Sequence, residues 1–136
     1  MRPTLTTHDT RFDDPDPATI AKVLAELDGD RHPVATLGDS DLTYLQVTGG
    51  VKTGLTLEFQ DGSLDRHYRS VPANVPLALV TDVFHRYAQG DQSWREGVEW
   101  VHVPHESRQT PWHSTWVGYV IILSIVITLV WLWRGW

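Results

Sequence analysis

Apolar residues near the start of the chain recur at the spacing of a helix. Positions i, i+3, i+4 and i+7 fall on one helical face. Asp16 followed by Pro17 is typical of an N-cap and a first helical position, and Asp28-Gly29-Asp30 is typical of a stop. The sequence therefore predicts a first helix over about residues 17–28. Its apolar face consists of Ile20, Val23, Leu24 and Leu27.

The hydrophobic pattern changes to a period of two in the middle of the chain. Leu55, Leu57 and Phe59 alternate with polar residues, which is typical of a strand with one apolar face. Asp61-Gly62 follows as a hairpin turn signal. We predict an antiparallel meander whose strands lie near 34–37, 42–47, 55–60 and 66–71.

Helical spacing returns before the end of this part of the chain. Leu77, Val80, Phe84 and Tyr87 predict a second helix that ends near Gly90. Alternation over residues 98–103 suggests one further strand or an extended edge. The fold class is therefore α+β, an antiparallel sheet of about four strands with two helices on one face, followed by one C-terminal transmembrane helix. Residues 1–16 form an irregular polar lead-in, and residues 17–103 form the soluble domain.

The transmembrane helix is predicted from an uncharged stretch near the end of the chain. There is no Asp, Glu, Lys or Arg between Arg108 and Arg134. The predicted helix over residues 116–133 spans roughly 27 Å, close to the bilayer hydrocarbon thickness of about 30 Å. Residues 104–115 are then a juxtamembrane linker, and residues 134–136 are a short tail.

Aromatic and polar residues of this segment agree with a membrane span. The aromatic residues gather at its two ends, as expected of interfacial belts. The two hydroxyl side chains can bond carbonyl groups one turn back in a helix, and their spacing of four also occurs in contacts between membrane helices. The interfacial and membrane-spanning residues are Trp112, Trp116, Tyr119, Ser124, Thr128, Trp131, Trp133 and Arg134.

The orientation follows from the absence of a signal-like segment at the N-terminus. Residues 1–8 contain no hydrophobic stretch. Moving an acidic domain of about 110 residues across a bilayer without such a segment is harder than moving three residues. We therefore expect a tail-anchored, single-pass protein of the inner (cytoplasmic) membrane, with its N-terminal domain in the cytoplasm.

Charge narrows the class of partner. Residues 1–108 carry 17 Asp and Glu against ten Lys and Arg, a net charge of −7. This negative net charge argues against nonspecific electrostatic binding to nucleic acid. It is compatible with ordinary solubility, or with a docking surface for a basic protein partner. The candidate partner-binding residues are Asp9, Asp13, Asp14, Asp28 and Asp30.

The residues offer little support for catalysis. The chain has no cysteine, which excludes disulfides, thiolate zinc sites and cysteine nucleophiles. His67 is a conceivable general base, but no nucleophile motif accompanies it. His102, His105 and His113 match no metal-binding spacing, and polar linker residues are the simpler interpretation. We therefore predict a protein that is not an enzyme and has no cofactor and no metal.

Several short motifs resemble those of a known class of protein. They are Leu57-Glu-Phe-Gln-Asp-Gly62, His67-Tyr68, Val83-Phe84, Tyr87-Ala-Gln-Gly-Asp91, Trp94 and Glu99-Trp100. Together, over about residues 30–103, they resemble small bacterial immunity proteins of polymorphic-toxin systems. The resemblance implies a short α+β domain that blocks a toxin without being an enzyme. The predicted membrane segment departs from the commonest soluble form and suggests a toxin that acts at a membrane.

Two functions are favoured at this point over a third hypothesis, a membrane-tethered enzyme. The first is a tail-anchored, immunity-type binding protein that neutralises a cognate toxin by stoichiometric binding. The alternative is an accessory subunit or assembly factor of a bacterial membrane protein complex. In both cases the partners are a protein and the lipid bilayer.

Overall fold

A seven-stranded antiparallel sheet forms the centre of the domain. The computed structural model describes residues 2–105, and its strands lie in the order β2-β1-β3-β4-β5-β6-β7. The sheet therefore has seven strands, and the prediction of about four was wrong. The strands are β1 (Thr4–Thr7), β2 (Arg11–Asp13), β3 (Val34–Ser40), β4 (Thr43–Gly50), β5 (Gly54–Asp61), β6 (His67–Val71) and β7 (Glu99–His102).

Three helical elements accompany the sheet in this part of the chain. They are α1 (Pro17–Ala25), α2 (Leu77–Ala88) and one 3₁₀ turn (Gln92–Arg95). The start of α1 follows from its cap, because the Asp16 carboxylate accepts a hydrogen bond of 2.7 Å from the Thr19 N–H. Helix α1 ends three residues before the predicted stop, and Leu27 is still buried.

The N-terminal hairpin is the largest departure from the predicted architecture. Residues 1–16 were expected to be irregular, but β1 and β2 pair with each other, and β1 also pairs with β3. Leu5 lies between Phe12 and Leu37 in these pairings and is completely buried. Strands of four and three residues are too short for their alternation to stand out, and threonine dominates β1.

The hydrophobic core lies on one side of the sheet. The long pairing of β4 with β5 sets Leu45 opposite Phe59 and Val47 opposite Leu57. Ile20 and Leu24 of α1, Val80 and Phe84 of α2, and Trp94 of the 3₁₀ turn belong to the same core. The three helical elements of residues 2–105 therefore pack on the same face of the sheet, and none of them covers the other face.

The two ends of the sheet differ in structure. At one end the β3–β4 turn and the β5–β6 loop touch, since the Gly62 N–H donates to the Leu42 carbonyl at 2.7 Å. Strand β7 also ends here, because His102 pairs with Tyr68. At the opposite end, Gly49 has a φ of 104°, and a Cβ there would lie 2.0 Å from the Gly54 carbonyl oxygen. Only glycine fits that position.

The predicted membrane helix lies outside the described residues. This applies to the segment over 116–133, to its interfacial residues from Trp112 to Arg134, and to the tail over 134–136. Within residues 2–105, no helix is long and apolar enough to cross a membrane.

Candidate partner-binding face

The sheet face opposite the helices is polar. Successive side chains of a strand point to opposite faces, so the residues between the core residues all emerge on this side. Among residues 2–105 no helix lies on it. We call this surface the open face. Its central residues are Thr4, Thr6, Thr36, Tyr44, Gln46, Thr56, Glu58, Gln60, His67 and Arg69.

Hydrogen bonds between side chains hold the middle of the open face. The Thr36 hydroxyl on β3 donates to the Gln46 side chain on β4 at 3.0 Å. The Tyr44 hydroxyl on β4 donates to the Gln60 side chain on β5 at 3.1 Å. Burial, and then the Glu58 carboxylate, raise the pKa of the Tyr44 phenol, so the phenol keeps its proton and remains a donor. These two bonds fix four side chains in the middle of the open face.

Glu58 on β5 joins two basic side chains of β6. Its Oε2 lies 3.1 Å from His67 Nε2, and its Oε1 accepts a bond of 2.8 Å from Arg69 Nε. The Glu58 side chain is only 16% exposed, so it is better shielded from water than an ordinary surface carboxylate. Beyond it, Val71 and Val101 add exposed apolar surface.

A groove of about 430 Å³ crosses the open face near β1, β3 and β4. Gly38 lines the groove and leaves no room for a side chain, because a Cβ there would lie 2.6 Å from the Thr43 carbonyl oxygen and 2.7 Å from the Tyr44 Cβ. The groove is lined by Thr4, Thr6, Arg11, Thr36, Gly38, Asp39, Ser40, Asp41, Tyr44 and Gln46.

The groove offers both hydrogen-bonding groups and net negative charge. Arg11 is engaged by Asp13 at 3.1 Å, which leaves Asp39 and Asp41 as exposed carboxylates at the rim. Hydroxyls and amides that donate and accept suit the polar surface of another protein, and the carboxylates favour cationic groups on it. In the portion that the structure describes, no three His, Asp or Glu side chains are grouped as a metal site would require.

The structure places the five predicted partner-binding aspartates in two groups, at opposite ends of the sheet. Asp13 is the last residue of β2 and Asp14 follows it at one end of the sheet, whereas Asp9 lies in the β1–β2 turn at the other end. Asp28 and Asp30 lie in the loop after α1 at the same end as Asp9, since His32 is 3.6 Å from the Asp28 carboxylate and lines one pocket with Asp9. The five therefore do not form one cluster, and only Asp13 touches the groove, through Arg11.

Asp28 also has a local structural role. Its carboxylate accepts hydrogen bonds from the backbone N–H groups of His32 at 2.8 Å and Asp30 at 2.9 Å. These bonds, first that of His32, lower the pKa of Asp28 to about 2. A hydrogen-bonded carboxylate of this kind fixes the loop in addition to any charge it presents to a partner.

The histidines that sequence reasoning considered lie apart. His67 is on the open face against Glu58, and His102 ends β7 with its Nε2 against the Asp65 carbonyl. His105 is the last described residue, and His113 lies outside the described range. Among the described histidines, the structure therefore gives His67 a carboxylate partner and does not group its side chain with those of His102 and His105.

Sequence reasoning missed the groove and its rim. The groove forms only because β1 pairs with β3, and the whole of α1 lies between these two strands in the sequence. A usable signal was present in Gly38-Asp39-Ser40-Asp41, a short acidic stretch between two strands.

Searches among protein-family models, characterised protein sequences and solved structures found no match to this chain.

Proposed function

We propose that this protein is a membrane-anchored, non-enzymatic binding protein of the immunity type. In this proposal it holds a basic protein partner, a cognate toxin, on its open face and neutralises it by stoichiometric binding. The observation that carries the proposal is the open face itself. It is a broad polar sheet surface with hydrogen-bonded side chains, which no helix of residues 2–105 covers.

The geometry favours a protein over a small molecule as the bound partner. The groove is shallow and polar and continues into the flat surface around Glu58, His67 and Arg69. Small-molecule sites are more enclosed and mostly apolar, whereas protein interfaces combine polar rims with scattered apolar anchors. Val71 and Val101 supply such anchors at the β7 side.

Charge supports a basic partner. Asp39 and Asp41 stand at the groove rim, and the whole chain has a formal charge of −6. Complementary charge accelerates encounter and orients the partner. Anchorage is proposed from the sequence, because no charged residue lies between Arg108 and Arg134. An anchored inhibitor would meet a membrane-acting toxin at its site of action.

The decisive experiment is site-specific photo-crosslinking of the full-length protein in cells. A photoreactive amino acid at Thr36 or Gln46 of the open face should give one major adduct with a protein. The same amino acid at Lys22 or Asp82, which are exposed on the helices, should not. Adducts of equal yield from both faces would contradict a partner on the open face.

The adduct also tests the immunity function. The captured protein, when expressed alone, should arrest growth, and expression of this chain should restore it at a one-to-one ratio. A harmless captured protein would reject the immunity proposal.

The second candidate is an accessory subunit of a membrane complex. The observation that favours it is the spacing of Ser124 and Thr128 within the uncharged segment, which is used in contacts between membrane helices. It predicts that the partner is a resident membrane protein whose complex is lost when this chain is deleted. Native electrophoresis of membranes with and without the chain checks this.

A further inference from the structure

Arg95 lies against an aromatic cluster on the helix side of the sheet. Its guanidinium carbon is 5.0 Å from the centre of the Phe59 ring and 4.9 Å from that of Trp94. The Phe59 and Trp94 rings meet edge to face at 4.9 Å, and Tyr87 meets Trp94 at 5.3 Å. A cation is attracted to such ring faces. We call Phe59, Tyr87 and Trp94 the aromatic box, and the Arg95 guanidinium lies against two of its rings.

Carboxylates complete the box. Asp61 Oδ2 lies 3.4 Å from Arg95 Nη2. Burial first, and then the negative charges of Asp39 and Asp61, raise the pKa of Tyr87 to about 12, while Arg95 acts in the opposite sense. Asp39 and Asp61 therefore place negative charge near the aromatic box, and Arg95 supplies positive charge that balances it.

The box adjoins a cleft that has room for another side chain. The cleft has a volume of about 200 Å³ and lies between β5, the end of α2 and the 3₁₀ turn. The Arg95 side chain is 42% exposed and the Asp61 side chain is 36% exposed, so their ion pair is open to water and weakly held. Arg95 can move into solvent without leaving a buried charge behind.

We propose that this cleft is a recognition site for an arginine of the basic protein partner, and that Arg95 occupies the box until that arginine displaces it. The proposal rests on the proposed function, and it requires the partner to reach from the open face around the β3–β4 end of the sheet. The two sites meet there, because Asp39 lines the groove and also acts on Tyr87, and Thr43 lines the cleft. Arg95 itself shows which chemistry the box accepts, because a planar guanidinium lies over both rings and pairs with Asp61. An ammonium group is more strongly hydrated and does not stack in this way.

The test uses the full-length protein in nonionic detergent with N-acetyl-arginine-N-methylamide as the probe. Binding is followed by NMR at the Trp94 indole N–H, which a Trp94→Phe variant assigns. Arg95→Ala should bind the probe about tenfold more tightly than the wild type, because the competing guanidinium of the same chain is removed. Arg95→Gln is the second variant and should behave in the same way.

The charge requirement has its own control. Asp61→Asn in the Arg95→Ala background should weaken probe binding about tenfold, since the remaining aromatic contact lacks its counter-charge. The norleucine analogue of the probe should not bind. The inference is overturned if neither Arg95 variant binds more tightly than the wild type, if the norleucine analogue binds equally, or if Asp61→Asn has no effect.

The outcome is separable from that of the proposed function. Probe binding with the expected variant pattern, but no captured partner on the open face, would reject the function and keep the site. A captured partner together with failed probe binding would reject the site and keep the function.

Discussion

Ser70 satisfies a buried backbone group that the sheet leaves without a strand partner. The named pairing of β5 with β6 runs from Gln60–His67 to Glu58–Arg69. One position further, the Leu57 N–H donates to the Ser70 hydroxyl at 3.0 Å, and Ser70 is only 2% exposed. The hydroxyl thus replaces a carbonyl at the point where the two strands separate.

Ser70→Ala should therefore destabilise the domain. The substitution leaves the Leu57 N–H buried without an acceptor, which costs about 1–3 kcal/mol of unfolding free energy. Urea denaturation of the full chain measures the loss. Ser40→Ala, on the exposed end of β3, is the matched control and should change stability by less than about 0.5 kcal/mol. Equal effects of both substitutions would contradict this role of Ser70.

Asp28 predicts a pH-dependent contribution to stability. The folded state lowers the pKa of its carboxyl from 3.8 to about 2, so the ionised form is favoured by folding. Its contribution is complete above the unfolded pKa of 3.8 and disappears as the pH falls through about 2. Asp28→Ala should thus melt below the wild type at pH 7, and the two melting temperatures should converge between pH 4 and pH 2. A gap that is constant over this range would show that the hydrogen bonds of the carboxylate are not its cause.

At the scale of elements, the N-terminal hairpin contributes a fully buried leucine to the core. Leu5→Ala should lower the unfolding free energy by about 2–5 kcal/mol, because a fully buried leucine is replaced by a cavity. Leu64→Ala provides the comparison, since Leu64 is 51% exposed, and it should have an effect of less than about 0.5 kcal/mol. If Leu5→Ala proved as mild as Leu64→Ala, residues 2–13 would not belong to the cooperative unit.

The sequence predicted those elements whose hydrophobic periodicity is contained in one continuous segment of sufficient length. Helix α1 shows its cap and its apolar face within a dozen residues, and Leu57 and Phe84 are fully buried as their periodicity predicted. Strand β1 could not be predicted from its own four residues, because its partner strand β3 lies 30 residues later in the chain. The groove and the aromatic box depend on such distant pairings, so spacing alone could not predict them.

At the scale of the whole molecule, the position of negative charge should matter as well as its amount. Asp39→Lys with Asp41→Lys reverses two charges at the groove, and Glu26→Lys with Asp30→Lys reverses two at the opposite end of the sheet. The net charge is the same in both variants. The groove variant should slow partner association more than the control variant does. Raising the salt concentration should reduce the difference, because the Debye length is about 8 Å at physiological ionic strength.

This prediction is checked by association rates from stopped-flow mixing with the captured partner. Equal slowing by the two variants would show that the partner responds to net charge only. The groove would then not be the contact surface.

The strand order bears on how the sheet can form while the ribosome is still making the chain. From β3 to β6 every strand pairs with its neighbour in the chain, and all seven strands are complete at His102. Nearby pairings of this kind close short loops, so they form faster than the distant pairings of β1 with β3 and of β6 with β7. A ribosome adds about 5–20 residues per second, so residues 106–133 take roughly 1–6 s to make. Strands β3 to β6, which carry most of the open face, can thus pair while the C-terminal part of the chain is still being synthesised.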